Sequence, residues 1–262
     1  MELGWNIFPW VAVVVFVLSL SAAVLAAFRR ERSRGAMVCN IAAIAIFFAF
    51  IVALWLTLKR PPLRTMGETR LWYSLFLLMA GLFTYARWHF RWILSFSTLL
   101  ATVFMVINIL KPEIHDQSLM PALQSVWFVP HVSVYMFSYA LLGCATMLAI
   151  GALTTQSDKF DNAIERLLYG GIAFVTIGML SGAIWAKDAW GAYWSWDAKE
   201  SWAVATWGLY LIAIHLAPSV MNTSRRWIYH TTILLGFLAL QMCWYGINYL
   251  PSAETSIHTY NQ

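Results

Sequence analysis

The sequence predicts an all-α fold: a polytopic helical membrane protein of about eight transmembrane helices with both termini outside. Two features of composition and one of pattern lead there. Of the 262 residues, 61% are apolar and only 11% are charged, whereas a soluble domain is about 45–50% apolar and about 25% charged. The apolar residues fall in continuous runs, not in the alternation of a transmembrane β-barrel. The links between runs are brief and leave no room for a separate soluble domain. These features exclude an ordinary cytosolic enzyme, a disordered chain and a Rossmann or barrel fold. Helices that satisfy their own backbone in lipid remain.

A membrane helix needs about 20 mostly apolar residues. Eight stretches are candidates: 6–28, 37–58, 71–86, 92–110, 128–152, 168–186, 200–217 and 227–247. The first follows Met1-Glu2-Leu3-Gly4, with no positive leader and no small-residue cleavage site, so it reads as a retained helix and not a signal peptide. The third is short. The fifth carries Pro130 in its first turn, where a missing N–H is tolerated. No repeat at solenoid spacing and no low-complexity tract interrupts the pattern.

Basic residues orient the spans. One set of links holds ten Lys and Arg, among them Arg29, Arg30, Arg32 and Arg34, and the opposite set holds seven. The positive-inside bias puts the Arg29–Arg34 link in the cytoplasm and the link between the sixth and seventh spans outside. The formal net charge of +5 reports this loop bias and calls for no nucleic-acid partner. Cys39, Cys144 and Cys243 all lie in apolar runs, and no Cys-x-x-Cys is present. They read as buried, inert thiols, which excludes covalent haem attachment to this chain and thiol oxidoreductase chemistry.

Fifteen tryptophans demand an explanation. Five of them (Trp185, Trp190, Trp194, Trp196 and Trp202) fall within 18 residues, together with Tyr193, Lys187, Asp188, Asp197, Lys199 and Glu200. An interfacial aromatic belt would spread over all helix ends. Concentrated in one link, the rings make a flat apolar platform edged by charges, suited to face-stacking of a large planar ligand. Haem fits such a surface: indole N–H groups and Lys187 or Lys199 would meet its two carboxylates, and Gly191 would let the backbone come close. A quinone is the competing planar ligand.

A bound haem wants axial ligands, and imidazole is a common one. His131 stands at the outer start of the fifth span, and Tyr135, Ser138 and Tyr139 share its helix face. A polar stripe on a membrane helix should point into the bundle. His258 lies in the outer tail, on the same side as the tryptophans. A polar helix cap and a tail residue are the alternative readings of the two. His215 is fifteen residues past Glu200 on the seventh span, about 22 Å deeper at 1.5 Å per residue, so it cannot share an iron with His131. His89 and His230, beside arginines in inner links, read as parts of solvated basic faces, and His115, between Glu113 and Asp116, as a solvated side chain.

The segment Trp190-Gly191-Ala192-Tyr193-Trp194-Ser195-Trp196-Asp197-Ala198-Lys199-Glu200-Ser201-Trp202 resembles the WWD signature of haem-handling proteins. It is most similar to the CcsA/ResC branch of System II cytochrome c synthesis, whose usual form is WGxYWxWDPKETW. Ala198 replaces the usual Pro and Ser201 the usual Thr. The CcmC and CcmF relatives share the Trp-Asp core but usually lack the Lys-Glu-x-Trp continuation. The resemblance covers roughly residues 125–262, read as a WWD haem-handling core. Residues 1–124 are read as N-terminal membrane helices, within a single membrane domain overall.

The resemblance implies a membrane subunit of cytochrome c synthase, a holocytochrome c synthase (haem lyase) active together with a ResB/CcsB-like partner in a bacterial inner membrane. It implies that His131 and His258 ligate the iron of an outer haem b and serve the attachment reaction, and that His215 receives haem in transit. Trp190, Gly191, Tyr193, Trp194, Trp196, Asp197 and Trp202 would form the haem-binding surface on the outer face. The substrate would be an apocytochrome c presenting Cys-x-x-Cys-His. A CcmC-like chaperone that presents haem without forming bonds, and a quinone-binding membrane subunit, stand as alternatives.

Overall fold

The computed structural model describes residues 4–29, 32–111, 125–221 and 223–250, the side chain of Asn248 excepted. Among them every regular element is helical. Eight α-helices follow in order: α1 (Phe8–Phe28), α2 (Arg34–Leu58), α3 (Met66–Trp88), α4 (Trp92–Leu110), α5 (Phe128–Thr155), α6 (Asp161–Trp190), α7 (Ala198–Val220) and α8 (Arg226–Trp244). Short 3-10 turns at Asp158–Phe160 and Gly246–Tyr249 precede α6 and follow α8. The chain divides into two compact units, Met1–Leu123 and Gln124–Gln262, with four helices each.

In the first unit each helix packs on the next, and α4 returns to α1. Phe8, Val15, Phe47, Ile51, Leu54, Leu71, Leu78 and Met105 form the apolar centre, drawn from all four helices. Lipid is as apolar as this core, so association rests on close packing and on short polar links between helices. Thr98 Oγ1 donates to the Ser19 carbonyl at 3.3 Å and Asn108 Nδ2 to the Gly67 carbonyl at 3.0 Å. The Tyr85 hydroxyl accepts from the Ser33 amide at 2.9 Å. A Cβ at Gly81 would collide with Ser97, so glycine is what lets α3 and α4 approach here.

All eight expected spans are helices, but only seven are long and apolar enough to cross a membrane. The exception is α3, expected over 71–86 and found over Met66–Trp88. Thirteen of its 23 residues are buried. A helix enclosed by neighbours can carry Tyr, Ser, Thr and a charge without exposing them to lipid, so its hydropathy is diluted. Its start is fixed by a capping box in which Thr65 Oγ1 accepts from the Glu68 amide. Glu68 is fully enclosed. It accepts from Arg60 at 2.9 and 2.8 Å and from the Arg64 amide at 2.7 Å, so one carboxylate folds the whole α2–α3 link.

The second unit repeats the contact order: α5 on α6, α6 on α7, α7 on α8, and α8 back on α5. α5 is the enclosed helix, with 72% of its most apolar window buried. Its partner α6 begins seven residues before the expected 168, because Asp161 anchors it. Asp161 accepts from His230 Nε2 at 3.0 Å and lies 3.5 Å from Arg226 Nε, while Arg226 Nη2 donates to the Ser157 carbonyl at 2.6 Å. His230 is 1% exposed. The expectation of a solvated basic face is therefore wrong for His230, whose imidazole ties the starts of α6 and α8 together. His89 is half-buried, closes α3 at φ 64° and lies 5.3 Å from the Tyr85 ring. Replacing Asp161 with Ala should strip His230 and Arg226 at once and cost about 1–3 kcal/mol. The thermal midpoint of the purified protein should fall, whereas Asp158→Ala, at an exposed position, should change it little.

Candidate functional site

The aromatic segment is half helix and half link. α6 continues through Trp190, a turn past the expected 186, and ends where Gly191 takes φ 84° and donates its N–H to the Lys187 carbonyl at 3.0 Å. A Cβ at Gly191 would meet nothing within 4 Å. The glycine thus supplies a left-handed helix cap, and it does not serve a close approach within the chain. Lys187 Nζ donates to the Gly191 carbonyl at 2.7 Å and sits 5.5 Å above the Tyr193 ring, which is 60% exposed. Trp194 and Trp196 meet edge to face at 5.7 Å.

Trp196 is the non-glycine residue of the link with a positive φ. Its φ is 57°, a left-handed conformation that costs a non-glycine residue about 1–2 kcal/mol. Glu200, 7% exposed, holds it there. Its Oε2 accepts from the Ser195 amide at 2.8 Å, the Ser195 hydroxyl at 3.2 Å and the Asp197 amide at 3.3 Å, so it grips the chain on both sides of Trp196. Ser201 Oγ donates to the Trp196 carbonyl at 3.3 Å. Asp197 Oδ1 accepts from the Glu200 amide at 2.9 Å and completes a capping box for α7. The carboxylate of Asp197 is therefore a helix cap. The Trp196 side chain is left 68% exposed.

His131 reaches the same end of this unit from α5. Its Nδ1 is 2.9 Å from the carbonyl oxygen of Gly178 on α6. A carbonyl only accepts, so Nδ1 carries the proton, and in the neutral ring Nε2 carries the lone pair. One face of the ring stacks on Trp185, with centroids 5.2 Å apart and planes at 25°, and Tyr135 meets it edge-on at 4.9 Å. Trp185 in turn contacts Trp190 at 4.7 Å. An unbroken run of rings therefore joins His131 to the start of the aromatic link.

The polar stripe of α5 faces inward, as its spacing implies. Ser138 Oγ donates to the Gly171 carbonyl at 2.8 Å, and Tyr139 meets Trp244 of α8 at 5.8 Å. Trp202 lies half-buried in the first turns of α7. His215 is exposed on the same helix, with Nδ1 held by the Leu211 carbonyl at 2.8 Å. Because α7 runs continuously from Ala198 to Val220, the separation of His215 from Glu200 stands. His258 and His115 lie outside the described residues. Cys144 is buried, Cys39 and Cys243 are half-buried, and all three are free of disulfides.

Sequence reasoning missed the glycines that make this geometry. Gly171, Gly178 and Gly182 lie on one face of α6 and receive Leu142, Tyr135 and His131 of α5 in turn. The signal was available: the intervals of seven and four along α6 match those along α5.

The family profile described as cytochrome C assembly protein matches residues 4–253. The chain belongs to that family. Among curated relatives of this assembly family, a cytochrome c biogenesis protein CcsA from Pelargonium hortorum is 30% identical over 263 residues, covering 80% of this chain and 81% of its own length. The CcsA of Chlamydomonas reinhardtii is 35% identical over 179 residues, 62% of this chain and 48% of its own. That of Oenothera argillicola is 25% identical over 306 residues, 96% of this chain and 93% of its own. This member of the family is thus a multi-pass membrane protein of cytochrome c biogenesis. The clamp on Trp196 has a direct check. In Glu200→Ala, hydrogen exchange at the Ser195 and Asp197 amides should rise at least tenfold, a loss of about 1.4 kcal/mol or more of local protection.

Proposed function

We propose that the chain is the membrane subunit of a cytochrome c synthase that carries haem b to the outer face of a bacterial inner membrane and holds it there for attachment. His131 and His258 serve as the two axial ligands. The Trp190, Tyr193, Trp194, Trp196 and Trp202 side chains, on a backbone shaped by Gly191 and capped by Asp197, form the surface under the macrocycle. Haem is cargo and substrate here. His215 receives it deeper in the membrane, and a ResB/CcsB-like subunit completes the enzyme.

The observation that carries this reading is the state of His131. Its proton is committed to a backbone carbonyl, which leaves Nε2 as the electron-pair donor, and its ring is continuous with the aromatic link. A ligating imidazole commonly has its other nitrogen fixed in this way. A quinone site needs no such nitrogen.

The reaction is addition of each thiol of an apocytochrome Cys-x-x-Cys-His segment across a haem vinyl group. Sulfur bonds to the vinyl carbon next to the ring, the thiol proton ends on the terminal carbon, and nothing leaves. The macrocycle supplies the reactive double bonds. The chain's own residues hold, orient and keep competing water away. Well-oriented reactants can gain about 7–11 kcal/mol from proximity. In this scheme the incoming apocytochrome imidazole replaces one of the two site ligands.

Absorption spectra of the purified protein, oxidised and reduced, alone and with its ResB-like partner, test the reading. A low-spin bis-imidazole spectrum is expected, and His131→Ala and His258→Ala should each lose most of it. Spectra in both variants that match the parent would overturn the ligand assignment. Haem that stays on a co-expressed apocytochrome after denaturation separates a synthase from a haem-presenting chaperone.

A further inference from the structure

One edge and one face of the His131 ring are met by three neighbouring positions of α6. On the Nδ1 edge stands the Gly178 carbonyl, 2.9 Å away. On the same edge Gly182 is bare: a Cβ there would come within 2.5 Å of His131 Cε1 and 2.6 Å of Nδ1. Across one face lies Trp185, 4% exposed and nearly parallel. Gly178, Gly182 and Trp185 fall at intervals of four and three, so all three project from one side of α6. Gly178 itself is needed for Tyr135, whose ring a Cβ at that position would meet at 3.1 Å.

We infer that Gly182, the Gly178 carbonyl and Trp185 form a socket that sets the tautomer and the ring plane of His131, and that Gly182 and Trp185 are positioning residues for haem ligation through that histidine. The inference rests on the proposed haem-handling reading. The physical logic is independent of it. An imidazole in an open environment divides its proton between two nitrogens and turns about two torsions. A socket that accepts a hydrogen bond from Nδ1–H and stacks one face removes both freedoms before any metal arrives. Partners of this kind typically change metal affinity by about 10–100-fold when removed. Any side chain at position 182 drives the ring off the Gly178 carbonyl and off Trp185 together.

The test compares Gly182→Ala with Gly170→Ala. Both sit on α6 and gain the same helix propensity, but a Cβ at 170 meets only Leu141 Cδ1, at an ordinary 3.5 Å. The first readout needs no haem: the imidazole 15N shifts of His131 in the haem-free protein, assigned by their loss in His131→Ala. The parent and Gly170→Ala should show the Nδ1–H tautomer, and Gly182→Ala a mixture. The second is haem titration of the protein with its partner, where Gly182→Ala should bind at least about tenfold more weakly and Gly170→Ala like the parent. Trp185→Leu should behave like Gly182→Ala, and Trp185→Phe should restore most of the affinity. An Nε2–H tautomer in the parent overturns the socket outright, whether or not any variant folds. So does a Gly182→Ala variant with the parent's tautomer and affinity. A parent that shows the Nδ1–H tautomer but takes up no haem, even with its partner, leaves the socket standing and overturns the haem reading and the positioning role drawn from it.

Discussion

In lipid, two helices gain little by hiding apolar surface from one another, so what keeps α5 against α6 is proximity itself. Gly171, Gly178 and Gly182 remove the side chains that would hold the axes apart, and Leu142, Tyr135 and His131 occupy the space released. The Ser138 hydroxyl and the His131 imidazole then reach carbonyls of the opposite helix. The seat of His131 and its run of rings to Trp190 depend on this approach. Were α6 displaced outward, Trp185 would leave the His131 ring and the chain of rings to Trp190 would open.

The link that follows is governed by charge. A single enclosed carboxylate, Glu200, gathers three donors and bends the chain so that Trp196 stands out from it. The first unit uses the same device at the start of α3, where Glu68 gathers Arg60 and the Arg64 amide. In both places a buried acid lies three residues past a capping residue, and in both the preceding link is folded onto the helix start. Neither acid acts as a solvated charge, although both stand in the first turn of a helix, beside links that carry ionisable residues.

Fold class and all eight helices were legible, α3 included, because hydropathy is a sum over many residues and tolerates local exceptions. The third span was the least regular in sequence for a physical reason: an enclosed helix is under no pressure to be uniformly apolar. The concentration of Trp190, Tyr193, Trp194 and Trp196 marked the link, and the face of α5 carrying His131 and Tyr135 was readable from its spacing. The cap at Asp197 was legible in the Asp197-x-x-Glu200 spacing but went unread. The grip of Glu200 on both sides of Trp196 and the left-handed turn there were not legible, since they depend on which donors lie within 3.3 Å of one oxygen. Nor was the buried partnership of His230 with Asp161, which joins residues 69 positions apart. A basic neighbourhood in sequence says nothing about such a pairing.

The modest hydropathy of α3 has a consequence for how the chain comes to lie in a membrane at all. A segment diluted by Trp, Tyr, Ser and Thr, and opening on Glu68 and Arg70, partitions weakly from the translocation channel into lipid when it stands alone. What its neighbours supply are partners for its polar groups: Ser74 Oγ donates to the Ala101 carbonyl of α4, Asn108 of α4 donates to the Gly67 carbonyl, and Arg60, just past α2, meets Glu68. A third segment that entered lipid before α4 was made would lack two of those three partners.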